Sequence, residues 1–197
     1  RSENWEGLGS PVRGKGGLLN VSESRLKRPV VDAWVEAAVG IGYRRNQDYN
    51  GEDQEGVGHF QMTMRNGRRC SSAAAFLKPA LKRPNLHVFT GAQTEGLILE
   101  AKRAVGIRFR RGDQTVEARA RHEVVLSAGA LGSPHLLMLS GIGAGDDLRQ
   151  HGIEVVANLP GVGRNLQDHL QARPVFKTTG STINSETRHP LQYVGIA

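Results

Sequence analysis

The segment Val124-Val125-Leu126-Ser127-Ala128-Gly129-Ala130-Leu131-Gly132-Ser133-Pro134-His135-Leu136-Leu137-Met138-Leu139-Ser140-Gly141-Ile142-Gly143 carries the strongest structural signal in the chain. Its first three residues are short and wholly apolar, as in a strand covered on both faces. Small residues follow at once, and a bend that carries little side chain lets a backbone or a ligand come close. Ser133-Pro134 then reads as a helix start, with Leu136 to Leu139 inside the helix and Ser140-Gly141 as its stop. A buried strand leading through a small-residue bend into a helix points to an α/β fold.

On the N-terminal side of this segment, residues 86–127 alternate as strands do. The spacing predicts strands over 86–89, 95–99, 104–109, 115–120 and 124–126, with Arg111-Gly112-Asp113 as a hairpin turn. This is a three-stranded meander flanked by two strands of a larger sheet. Further upstream, Pro29 followed by Val30, Val31, Ala33, Trp34, Ala37 and Ala38 has helical spacing, with Gly40 as the stop. Ser72 to Leu77 form helix-favouring material behind a serine cap, expected to run to about Lys82 before Pro84. Residues 43–69 read as turns with short strands near 59–64, and residues 1–28 as loop. Downstream, a short helix is expected over 146–151. No internal repeat or low-complexity tract interrupts this order.

A length of 197 residues suits one ordinary domain or part of a larger one, and a 38% hydrophobic fraction is compatible with a folded core. The 25 glycines gather in clusters, as at 14–17 and 141–145, which signals tight turns and close backbone approach. The formal charge of +7 invites a nucleic-acid reading, yet Lys and Arg are scattered with no run of five. Aromatic residues do not interleave with basic ones as single-strand stacking would require. A cofactor containing a pyrophosphate suits the same basic balance.

The lone Cys70 excludes an internal disulfide and reads first as a small buried apolar residue in a reducing compartment. Asn20-Val21-Ser22 matches a glycosylation acceptor with nothing beside it to signal secretion. No apolar run is long enough to span a membrane, the N-terminus lacks a signal-peptide layout, and the start at Arg1 reads as processing or truncation. The seven histidines show no close metal-ligand spacing, so no metal site is expected. Asp168-His169 lacks the Gly-x-Ser-x-Gly elbow that a hydrolase triad would need.

The run Gly129 to Gly143 resembles the second signature of the glucose-methanol-choline (GMC) oxidoreductases. Leu159-Pro160-Gly161-Val162-Gly163-Arg164-Asn165-Leu166-Gln167-Asp168-His169 is similar to that family's next block. Asp48-Tyr49-Asn50-Gly51, Gly67-Arg68-Arg69-Cys70-Ser71 and Arg83-Pro84-Asn85-Leu86 are similar to its upstream segments, in the same order. The resemblance implies a mixed α/β fold: an incomplete FAD/NAD(P)-binding Rossmann-like domain with a β-meander, plus part of a substrate-binding domain. It implies the cofactor FAD and oxidation of an alcohol, choline or another primary alcohol, by hydride transfer to the flavin. Thr94, in place of the more usual Val, would meet the adenine end of FAD through its backbone. Ala128, Gly129 and Ala130 would pack beside the adenosine portion. Asn165, Asp168 and His169 would hydrogen-bond a loop over the cofactor, and Tyr49, Asn50, Arg69 and Ser71 read first as turn and surface residues.

Two features of the family are absent from these 197 residues. No Gly-x-Gly-x-x-Gly follows a strand, so the pyrophosphate cradle is missing, and so is the late His with its His or Asn partner that handles the hydroxyl proton. No catalytic residue is therefore assigned, and the chain is expected to be inactive by itself. The expected division is 1–75 as substrate-side segments, 76–172 as part of the FAD-binding domain, and 173–197 as a returning substrate-domain segment. The expected partners are a small-molecule alcohol, an electron acceptor left open between oxygen and quinone, and further copies of the chain through unpaired sheet edges. The expected location is cytoplasmic, with or without peripheral attachment at the inner membrane. A competing reading is a non-catalytic binding or regulatory module that kept the sheet and lost the chemistry.

Overall fold

The computed structural model describes residues 2–25, 27–177, 179–180 and 182. The described residues divide into two compact units, one built from those up to His87 with those after Arg173, the other from Val88–Arg173. Most of the expected returning segment, 173–197, lies outside the described residues. Among the described residues no helix is long and apolar enough to cross a membrane.

In the first unit, β1 (Glu3–Trp5) pairs in parallel with β2 (Leu19–Glu23), which pairs antiparallel with β3 (Gln61–Met62). The expectation of loop over 1–28 is thus corrected. Both inward positions of β2 are polar, Asn20 at 2% exposure and Ser22 at 6%, so the strand shows no apolar alternation. Asn20 is tolerated inside because its amide accepts a hydrogen bond from the Asn4 amide at 2.7 Å and donates one to the Met64 carbonyl at 2.7 Å. Buried and bonded in this way, Asn20 cannot serve as a glycosylation acceptor in the folded chain.

Helix α1 (Pro29–Gly40) has the bounds its sequence predicts, opening on Pro and carrying Asp32 in its first turn, where the helix dipole favours negative charge. Only Val35 is fully buried, and Trp34 remains exposed. The short strands β4 (Met64–Arg65) and β5 (Arg68–Arg69) form a hairpin through Asn66 (φ 50°) and Gly67 (φ 74°), the two-residue left-handed turn that Asn-Gly favours. A π-helical turn (Ala73–Leu77) leads into α2 (Lys78–Ala80). Ser71 caps it, its Oγ accepting the Ala74 amide at 3.3 Å. The helix ends two residues before the expected Lys82. Pro79 has no N–H for the α-pattern, and the Lys78 amide bonds the Ala73 carbonyl instead, widening the turn.

The second unit is the expected meander: β6 (Ala92–Glu100), β7 (Arg103–Arg111) and β8 (Gln114–Arg119), antiparallel throughout. Helix α3 (Gly129–Leu139) begins four residues before the expected Ser133, β9 (Ile142–Gly143) pairs in parallel with β10 (Ala157–Asn158), and α4 (Gly145–Gln150) lies between them. Two expected strands are absent. Residues 86–89 and 124–126 form no ladder, and Val125 is 71% exposed. A strand exists only beside a hydrogen-bonding neighbour, and among the described residues neither segment has one.

Ser140 joins α3 to the meander. Its Oγ donates to the Leu136 carbonyl at 2.6 Å and accepts the Leu97 amide of β6 at 2.8 Å. Ser140→Ala leaves that half-buried amide without its partner, and the second unit is expected to lose about 1–3 kcal/mol. Hydrogen exchange at Leu97 should accelerate selectively. Unchanged protection there would show that the amide finds another acceptor.

Candidate functional site

The antiparallel register sets Gly106 of β7 opposite Arg119 and Ile107 opposite Ala118 of β8, which brings Gly106 and Ala118 diagonally next to each other on neighbouring strands. Gly106 is obligatory by packing, because a Cβ there would lie 2.4 Å from the Ala118 carbonyl oxygen. Beside this patch the run 124–128 passes, and between them opens a cavity of about 480 Å3. Thr94, Gly106, Ile107, Ala118, Ala120 and the run 124–128 line it, with Arg119, Glu123 and Leu136 completing the wall. The volume falls within the roughly 300–1,000 Å3 typical of small-molecule clefts.

Thr94 stands half-buried on β6 opposite Phe109, next to a break in register between Thr94 and Gly96 that bends the strand at the cavity. Ala128 precedes α3, and its amide donates to Ser133 Oγ at 3.0 Å, holding the bend against the helix start. Gly129 has φ +85°, and a Cβ built on it meets nothing within 4 Å. The bend is therefore open on the side where Gly129 faces. Thr94 and Ala128 line the same cavity, whereas Gly129 and Ala130 lie exposed in the first turn of α3 just outside its lining. Gly106, Ala118 and Ala120 carry no signal in the sequence. Only the register places them on one wall. At the rim, the Arg119 guanidinium bonds Glu100 at 2.5 Å, which holds its pKa above the ordinary value.

The other sequence candidates resolve as local structure. Cys70 is buried, as expected for a packing thiol, with its Sγ 3.4 Å from the Asn20 amide nitrogen. The Tyr49 hydroxyl accepts the Gln61 amide at 3.3 Å, and Asn50 donates to Gln61 Oε1 at 2.9 Å, so both serve the turn. Asp168 is exposed and accepts the His169 amide at 2.8 Å. His59 Nε2 lies 2.9 Å from Asp32 Oδ1, joining the loop before β3 to α1. Among the described residues no group of His, Cys, Asp and Glu could hold a metal. A larger, mainly apolar recess of about 760 Å3 in the first unit is lined by Trp34, Ile41, Tyr43, Tyr49 and Phe60.

Residues 3–171 match the family described as GMC oxidoreductase. The chain is 48% identical over 171 residues to the oxygen-dependent choline dehydrogenase of Brucella anthropi, covering 87% of this chain and 31% of that protein. It is 47% identical over 187 residues to the mitochondrial choline dehydrogenase of Homo sapiens, covering 95% of this chain and 32% of that protein. Its fold superimposes on pyridoxine 4-oxidase from Mesorbium loti with a TM-score of 0.75 and 33% identity, over 80% of this chain and 31% of that one. An FAD-dependent oxidoreductase from Chaetomium thermophilum gives a TM-score of 0.74 at 25% identity, over 81% of this chain and 30% of that one. The chain thus spans about a third of the length of the relatives it matches.

Proposed function

Because residues 3–171 match its family model, the chain belongs to the GMC oxidoreductases, and from that membership we propose that its second unit forms part of the FAD site of an alcohol-oxidising enzyme. The mixed α/β fold expected from the sequence is the one this part of the family's FAD-binding domain has. The supporting observation is the cavity of about 480 Å3 on which Thr94 of β6 and Ala128 of the bend converge. The residues fit an adenosine group. Small side chains at Ala118, Ala120, Ser127 and Ala128 leave room for a flat ring, and the apolar Ile107, Val124 and Leu136 give it surface to bury.

Thr94 offers its backbone to the adenine edge. Ala128, Gly129 and Ala130 admit the adenosine by carrying almost no side chain where it passes, and the positive φ of Gly129 shapes that bend. When bound, FAD supplies the acceptor for hydride from the alcohol carbon. No residue of this chain is assigned to the chemical step, so its part in catalysis is to bind and orient. The first unit contributes the substrate side. For the whole protein the proposed substrate is choline or another primary alcohol, a reading supported by the choline dehydrogenase names of two relatives. Exposed apolar side chains such as Leu131 and Val125 favour self-association of the isolated chain.

Adenosine tests the site directly, since it needs neither flavin nor pyrophosphate cradle. The chain is expected to bind adenosine saturably, and Ala128→Phe, which fills the cavity from an exposed position, should weaken binding by about tenfold or more, on the order of 1.4 kcal/mol. Circular dichroism checks that the variant keeps its fold. Equal binding by both forms, or none by either, would remove the second unit from the cofactor site.

A further inference from the structure

The hairpin β4–β5 and the helix that follows it enclose a recess of about 460 Å3 lined by Arg65, Asn66, Arg68, Arg69, Cys70, Ala74 and Lys78. Four of these side chains are cationic, and no acidic residue lines the recess. In the same unit Arg13, Arg44 and Arg45 each pair with a carboxylate. Arg68, Arg69 and Lys78 pair with none among the described residues, and Arg65 is anchored through the Leu18 carbonyl at 2.9 Å.

The register makes this more than a basic surface. Arg65 and Arg68 stand directly opposite each other across the two-residue turn. Like charges in that relation are destabilising, with Cβ atoms only about 4.5–5.5 Å apart. The left-handed Asn66-Gly67 turn sets that pairing. Such an arrangement carries its own repulsion until an anion sits between the guanidinium groups, where planar forks match a tetrahedral oxyanion in bidentate fashion.

We infer that this recess is a binding site for the phosphate group of a small molecule, a phosphomonoester or inorganic phosphate. A recess bounded by four cations suits a compact dianion better than an extended polyanion, which would track charge along a face. The site belongs to the first unit, and it stands whether or not adenosine binds the second.

The test uses the full chain and inorganic phosphate, followed by equilibrium dialysis at constant ionic strength set with chloride. One phosphate per chain is expected to bind saturably. Arg68→Gln and Arg69→Gln, both at exposed positions and checked for folding by circular dichroism, should each weaken it by about tenfold, the loss of one charge-assisted contact. Arg103→Gln on β7 should leave it unchanged. Equal weakening by Arg103→Gln, or uptake that rises linearly without saturating, would overturn the site. Binding to phosphatidylglycerol vesicles with none to inorganic phosphate would overturn the small-molecule assignment in favour of a membrane surface.

Discussion

Arg13→Ala is expected to destabilise the first unit by about 3 kcal/mol, the lower end of the cost of breaking a buried ion pair, because the Glu3 and Asp48 carboxylates left behind keep partial contact with water. Arg13 is only 8% exposed, yet every edge of its guanidinium is used. Its Nε and one terminal nitrogen bond the Glu3 carboxylate at 3.2 and 2.6 Å. The other terminal nitrogen bonds Asp48 at 2.5 Å and Gln61 at 2.8 Å, and the group lies 4.3 Å from the centre of the Trp5 ring. Three segments far apart in sequence are thus held by one side chain. Lys at this position has no planar fork and should recover only part of the loss.

Urea unfolding followed through the fluorescence of Trp5 and Trp34, both in the first unit, gives the measurement, and a change below about 0.5 kcal/mol, the level of an ordinary surface substitution, would contradict it. The same cluster sets a pH dependence. The Arg13 hydrogen bond holds the Glu3 carboxyl below its ordinary value, against the opposing effect of burial. The unfolded chain therefore binds the proton first as acid is added, so the contribution of Glu3 is complete above its unfolded pKa, roughly 4.3, and fades as pH falls through the lower folded value. In Arg13→Ala this acid-side slope should flatten.

Gly141→Ala should cost the second unit about 2–5 kcal/mol, combining a left-handed backbone penalty with overpacking. Gly141 has φ +81°, and a Cβ there would lie 2.4 Å from the Glu154 carbonyl oxygen and 2.9 Å from Val156 Cγ2. Its own carbonyl accepts the amides of Val156 at 2.8 Å and Ala157 at 3.1 Å, so the residue joins the end of α3 to the β9–β10 pair. Gly112, with φ +58° and open space within 4 Å of where a Cβ would stand, separates the two causes. Gly112→Ala carries the backbone penalty alone, about 1–2 kcal/mol. Hydrogen exchange at Val156 and Ala157 reports the Gly141 effect locally. Equal destabilisation by the two substitutions would mean that the close approach of Glu154 carries no cost.

Local periodicity is enough to locate α1, the meander and its turns, because each of these is stabilised mainly by residues near one another in the chain. Periodicity fails at β1 and β2, where the inward side chains of β2 are Asn20 and Ser22, and the burial of Asn20 depends on partners at Asn4 and Met64. It fails in the opposite sense at 124–126, where an apolar run suited to a strand has no neighbour among the described residues to complete its ladder. The Asn66-Gly67 hairpin lies within the stretch 43–69 that reads only as turns with short strands near 59–64, and its strands and like-charged cross-strand pair emerge only with the register.

At the candidate site, Thr94, Ala128, Gly129 and Ala130 follow from the family resemblance carried by residues 129–143, a contiguous motif that needs no coordinates to recognise. Their neighbours Gly106, Ala118 and Ala120 belong to other parts of the sheet and carry no motif of their own. The amino-acid order alone was sufficient for the family, the α/β class and the elements whose forces act over a few residues. The Arg13 cluster, which spans 10, 35 and 48 positions, and the cavity wall required the folded chain. Hydrogen bonds and packing across such separations depend on how distant segments meet, and no local pattern encodes that meeting.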